Sequence, residues 1–155
     1  MTARLESYIV DWTASGQPDG AEALRVCLRF VEDAVTHFEC DIPALDLDPP
    51  DVRRAAGVLL GAARKAHLPV PATGQLKAGD ATVWEAFVWF APHALDGGVW
   101  TSSGNGSPTV SFSDQGEAID VHLDPDQAEH LQTALGPGAS LVPLKEWRAR
   151  RRERP

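Results

Sequence analysis

Cysteine, asparagine, tyrosine and lysine are all scarce in this sequence. Its 155 residues hold two Cys, one Asn, one Tyr and three Lys. Two cysteines, Cys27 and Cys40, cannot make a disulfide framework, so free thiols in a cytoplasmic protein are the simplest expectation. No apolar run approaches the roughly 20 residues of a membrane-spanning helix, and no membrane partner is expected. Residues 1–7 lack a basic segment followed by an apolar one, so no signal peptide is expected. Three Lys against eleven Arg, with three Ile, reflect avoidance of AT-rich codons and point to a GC-rich bacterial genome. In such a genome Arg is the default cation, so arginine richness alone says little about phosphate binding.

What is abundant is acid, and it is unevenly placed. Residues 1–144 hold 20 Asp/Glu against 8 Lys/Arg, whereas residues 145–155 hold 6 Lys/Arg against 2 Asp/Glu. The body therefore carries −12, the tail +4 and the whole chain −8. An acidic body repels phosphate and membrane surfaces, while an arginine tail attracts them. Hydrophobic residues at 43% with 23% charged fit a globular domain rather than a disordered chain. Residues 1–144 are expected to form one globular domain and residues 145–155 a basic C-terminal tail.

The first half has helical spacing. Over residues 21–38 the apolar positions Leu24, Cys27, Leu28, Val31, Val35 and Phe38 recur as on one face of a helix. A shorter helix before it would place Leu5, Ile9 and Trp12 together. Residues 39–51 are an acidic, proline-broken link in which Asp48 is suited to cap a helix over 49–67. The second half changes to period two. The apolar run 83–90 predicts a central strand, and 99–102 a second one bracketed by glycines. Residues 109–113 and 118–123 predict a hairpin with Phe112 opposite Ile119 and Val110 opposite Val121. Asp124, Pro125 and Gln127 predict a capped helix that buries Ala128, Leu131 and Leu135 and ends at Gly136. A short strand over 140–144 leads to the tail. The fold expectation is α+β: N-terminal helices, then an antiparallel sheet of about four strands with a C-terminal helix packed on one face.

Several groupings invite a chemical reading. In the hairpin register Ser111 faces Asp120 and Thr109 faces His122, so a Ser/Asp/His set shares one sheet face. Nothing supplies a nucleophile elbow or oxyanion hole, and alternating Ser/Thr with Asp/His is also the pattern of a solvated face. His37 and Cys40 are three apart, but the other ligands of a zinc site are missing. Asp46, Asp48 and Asp51 lack the glycine and distant Glu of a calcium loop. Gly104-Asn105-Gly106 precedes a strand, not the helix of a phosphate loop. No metal, cofactor or catalytic residue is therefore expected. Trp84, Trp89 and Trp100 fall on strands expected to be adjacent, as sheet core or as an exposed aromatic face. In the tail, Glu146 is placed to pair with Arg150. Its arginines could contact nucleic acid, lie on the acidic body or stay in solvent.

The C-terminal part resembles small immunity proteins of bacterial toxin systems. The resemblance rests on Gly97-Gly98-Val99-Trp100-Thr101-Ser102, Phe112 with Gly116, the acidic helix entry Asp124-Pro125-Asp126 and a closing strand leading to Trp147. It covers about a third of the chain, and it implies a cytosolic, acidic, non-enzymatic inhibitor of one partner protein. The functional expectation is a non-enzymatic protein-binding domain with a basic protein partner, using Glu39, Asp41, Asp46, Trp84, Trp89 and Trp100. One alternative is a nucleic-acid-associated accessory protein using Arg148, Arg150, Arg151, Arg152 and Arg154. The other is a small hydrolase using Ser111, Asp120 and His122.

Overall fold

The computed structural model describes residues 3–13, 20–43, 50–65, 67–102 and 106–154. The class is α+β, with five α-helices and a seven-stranded antiparallel open sheet among the described residues. In chain order the elements are β1 (Glu6–Asp11), α1 (Ala21–Val31), β2 (Val35–Cys40), α2 (Pro50–Ala62), β3 (Leu76–Lys77), α3 (Ala81–Phe90) and β4 (Asp96–Thr101). There follow β5 (Val110–Ser113), β6 (Ala118–Leu123), α4 (Pro125–Leu135), β7 (Ser140–Pro143) and α5 (Leu144–Arg152). The strand order is β3-β2-β4-β5-β6-β1-β7. None of the helices is long and apolar enough to cross a membrane among the described residues.

The hairpin has the register that its apolar alternation requires. Val110 pairs with Val121, Ser111 with Asp120 and Phe112 with Ile119, and Val110, Phe112, Ile119 and Val121 are all buried. The helix after it is capped as its sequence dictates. The Asp124 carboxylate accepts from Gln127 N at 2.8 Å, and Gln127 Oε1 accepts from Asp124 N at 3.2 Å. This satisfies two of the otherwise orphaned donors at the helix start. Gly136, at φ 64°, ends it.

Five expectations are corrected. The first element is a strand, not a helix: Tyr8 and Val10 are buried while Ser7, Ile9 and Asp11 point the other way. Leu5, Ile9 and Trp12 fit a helical face by spacing alone, but pairing with β6 on one side and β7 on the other overrides it. The long helix over 21–38 stops at Val31. Residues Glu32–Ala34 turn in 3-10 geometry, and the β-branched pair Val35-Thr36 opens strand β2. The run 83–90 is helical. Asp80 caps it by accepting from Thr82 N at 2.9 Å and Val83 N at 3.2 Å, and burial of Ala86, Phe87, Val88 and Phe90 erases the usual polar face. The sheet thus has seven strands rather than about four, with helices interspersed. Finally, α2 spans Pro50–Ala62, shorter than 49–67, and residues 44–49, which include Asp46 and Asp48, lie outside the described residues.

One sheet face carries the core. Phe38, Val99, Val110, Val121 and Tyr8 are aligned by register across β2, β4, β5, β6 and β1. They meet Leu24 and Leu28 of α1, Phe87 and Phe90 of α3 and Leu131 of α4 in one contiguous cluster. The α2 helix packs on α3 at the edge of this layer. The opposite sheet face carries α5, which packs on β1 and β7. Val142 lies opposite Ile9 and is buried, yet it stands outside the main core cluster. It is buried on the α5 side.

Candidate functional site

The strand register builds the second sheet face row by row. Glu39, Gly98, Ser111, Asp120, Ile9 and Val142 are successive partners across β2, β4, β5, β6, β1 and β7. In neighbouring rows, His37 pairs with Trp100 and Asp96 with Ser113. Asp41 N donates to Asp96 O at 3.1 Å. The face is therefore acidic at one end and carries α5 at the other.

At the β2–β4–β5 end lies a depression of about 500 Å³. Glu39, Asp41, Asp96, Trp100 and Ser111 line it, with Lys65 the one cation on its wall among the described residues. Val70 and Leu95, both exposed, border it too. Two adjacent glycines shape it. On the core side, a Cβ at Gly97 would overlap the Phe112 ring. On the outer side, a Cβ at Gly98 would stand 3.2 Å from Trp100 Cη2. Gly97 makes room for Phe112 in the core, and Gly98 lets the indole lie across the strand. These glycines belong to the strand itself and do not bracket it, which is why strand β4 begins at Asp96 rather than Val99.

Trp100 is held on two sides. His37 stacks on it at 4.8 Å with 12° between the rings, and the indole Nε1 donates to Gly106 O at 3.3 Å. Asp41 Oδ1 accepts from Leu95 N at 2.8 Å and Asp96 N at 3.2 Å, which fixes the entry to β4. Among the described residues, Glu39, Asp41 and Asp96 form no ion pair. Three carboxylates therefore share a concave, partly apolar surface with no internal counter-charge bound to them.

The β6–β1–β7 end is covered differently. Trp147, Arg150, Arg151 and Arg154 recur at the spacing of one helix face and line a cleft of about 520 Å³. Asp11, Asp114, Glu117 and Asp120 line the same cleft. Partial desolvation there pushes the Asp120 carboxyl above the ordinary Asp range, although solvent still reaches it. Arg150 also pairs with Glu146 at 3.7 Å, as the tail spacing requires. Arg148 lies apart, in a groove with Arg4, Lys145 and His122, and Arg152 is exposed. The five tail arginines are thus split, and three of them address the protein's own acidic surface.

The other groupings come apart. Trp84 and Trp89 belong to α3, on the far side of the sheet from Trp100. Trp84 packs on Phe38 and Phe87 and donates to Glu32 Oε2 at 3.1 Å. Trp89 is 46% exposed with the Arg25 guanidinium 4.7 Å from its ring. Ser111 and Asp120 face each other by register but line different concavities. His122 lines a third, its Nδ1 3.1 Å from Ser7 Oγ. No nucleophile–base pair is assembled from these three. His37 and Cys40 point to opposite sheet faces, since Cys40 is buried in the core. Burial pushes the Cys27 thiol up to about 12 and the Cys40 thiol higher still, which makes both unreactive. Among the described residues no three His, Cys, Asp or Glu side chains are grouped as a metal ion would require.

Asp96 and three of the acids facing α5, Asp11, Asp114 and Glu117, are the members that sequence reasoning missed; Asp120 was named, but for the hydrolase alternative. Starting β4 at Val99 excluded Asp96, and treating β1 as a helix excluded Asp11. The signal for Asp96 was present: Gly97-Gly98 alternates with Val99 and Trp100 as strand residues do. Searches against protein-family models, curated protein sequences and solved structures find no match to this chain.

Proposed function

We propose that this chain is a protein-binding domain that docks a basic partner on the uncovered half of its second sheet face, as an inhibitor or immunity protein would. One observation carries this reading. Among the described residues, Glu39, Asp41 and Asp96 stand without ion-pair partners around Trp100 in an open depression bordered by exposed Val70 and Leu95. An aromatic anchor, apolar neighbours and unneutralised charge of one sign are the elements of a surface that recognises a basic protein. The chain's net charge of −8 adds long-range attraction for the same partner. Nucleic acid is disfavoured, because a phosphate backbone would meet an acidic body and only part of the arginine set.

The test is capture from the native host, followed by mass spectrometry and binding to the purified partner. A partner that is basic, elutes as salt rises, and is lost when Glu39, Asp41 and Asp96 are replaced by Lys supports the reading. Retention of the partner by that variant at unchanged affinity would exclude it.

A further inference from the structure

The protein already carries one basic helix on this sheet face. Trp147, Arg150, Arg151 and Arg154 of the α5 segment lie over Asp11, Asp114, Glu117 and Asp120. The two halves of the face are chemically alike: each presents carboxylates from adjacent strands beside a tryptophan. They differ in the cations that line them: Arg150, Arg151 and Arg154 line one half, whereas among the described residues Lys65 alone lines the other. From this internal precedent we infer that the depression at Trp100 is a guanidinium-binding site that takes an arginine side chain from a helix of the partner. That helix would lie on the free half of the face much as α5 lies on the other. The inference rests on the docking reading above and names the chemistry of its partner.

Two features select arginine over lysine. Glu39 lies on β2, Asp41 just past its end and Asp96 on the adjacent β4, so a planar donor fork can bond more than one carboxylate, whereas an ammonium acts as a point charge. The indole gives a flat surface for a flat cation, and His37 already stacks on it at 4.8 Å. The depression borders the same indole together with Pro108 and Ser111. Asp41 Oδ1 is fixed by Leu95 N and Asp96 N, so the acidic wall is set before the guanidinium arrives. Lys65 on the rim is exposed and can swing away as a cation enters.

The test uses the full chain, labelled with nitrogen-15, and a synthetic peptide with the sequence of residues 144–154. A second peptide has every Arg replaced by Lys. The arginine peptide is expected to shift the amides of residues 39, 41 and 96 and the Trp100 indole N–H, and to bind about three- to tenfold more tightly than its lysine counterpart. Glu39→Gln with Asp96→Asn should abolish both, and Trp100→Leu should narrow the preference for arginine. Equal binding of the two peptides at these residues would overturn the arginine site while leaving a basic-partner surface intact. Shifts confined to residues 11, 114, 117 and 120, from displacement of α5, would overturn it as well. So would the absence of any shift at residues 39, 41 and 96.

Discussion

Adding one methyl group to either of two adjacent glycines should give opposite results, because they face opposite sides of one strand. At Gly97 the new Cβ would overlap the Phe112 ring and stand 2.9 Å from the Glu39 carbonyl oxygen. Neither can move cheaply: the ring is 2% exposed in the core, and the carbonyl belongs to the β2–β4 ladder. Overpacking of this kind costs about 1–3 kcal/mol. The lower entropy of the unfolded alanine chain returns about 0.4–1 kcal/mol. Since neither neighbour can yield, the upper part of the first range applies, and a net cost of about 2 kcal/mol would lower Tm by about 4–8 °C in a chain of this size. At Gly98 the nearest atoms are Trp100 Cη2 and Cζ3 at 3.2 and 3.3 Å and Pro108 Cβ at 3.4 Å. All lie on the outer face, where a shift of the ring edge by a few tenths of an ångström relieves the contact. Gly98→Ala should therefore change Tm by less than about 2 °C while altering the near-ultraviolet circular dichroism of Trp100. Thermal melts of both variants decide the matter. Phe112→Leu should cost less in the Gly97→Ala background than in wild type, with a coupling of about 0.5–3 kcal/mol. Equal losses at the two glycines, or no coupling to Phe112, would refute this assignment of faces.

Further substitutions check other parts of the account. Phe112→Ala should cost about 3–5 kcal/mol in chemical denaturation, whereas Ser111→Ala, on the outer face, should stay within about 0.5 kcal/mol; similar values for both would mean the faces are exchanged. Cys27 and Cys40 should not react with a thiol reagent at pH 8 while the protein is folded and should both react in guanidinium, since burial raises both thiols; rapid labelling of the native state would contradict their placement. The hydrogen bond from Arg29, at 2.6 Å, holds the Glu85 carboxyl below its ordinary value of 4.5. Its stabilising effect is therefore complete above 4.5 and is lost as pH falls through the lowered value. Glu85→Gln should cost no more than about 1 kcal/mol at pH 7, given how exposed the pair is, and progressively less in acid; a deficit that grows in acid would show the sign to be wrong.

Where neighbouring residues decide structure, the sequence was legible. The β5–β6 hairpin follows from alternation across a tight turn, and α4 from three closely spaced capping residues, Asp124, Pro125 and Gln127. Amphipathic spacing located α1 and α2, because each has one apolar stripe and one wet face. Legibility failed where distant pairing decides. The β1 segment has few residues and satisfies two periods at once, and only β6 and β7 choose between them. The start of β2 continues the apolar spacing of α1, so the change at Val35 is set by its partner β4. In α3 nearly every side chain is apolar, which removes the period that separates helix from strand, and Asp80 was the overlooked signal. The candidate site follows the same division. Glu39, Asp41 and Trp100 were named from the sequence and meet in one depression. Trp84 and Trp89 moved to the other side of the sheet once α3 proved helical, and Asp96 was lost with the misplaced start of β4.

The most direct measurement separates a local acidic site from mere net charge. One variant carries Glu39→Gln, Asp41→Asn and Asp96→Asn; Asn at position 41 keeps an oxygen to accept from Leu95 N and Asp96 N. A control carries Glu22→Gln, Asp33→Asn and Glu129→Gln, all exposed positions in the helical layer. Both variants change the net charge from −8 to −5. Affinity for the captured basic partner is then measured over a salt series, with a thermal melt of each protein. The account predicts a loss of more than about tenfold for the first variant, a loss near twofold for the control, and a Tm within about 2 °C of wild type for both. Equal losses in the two variants would contradict it, because the partner would then be sensing the charge of the whole protein rather than the face around Trp100.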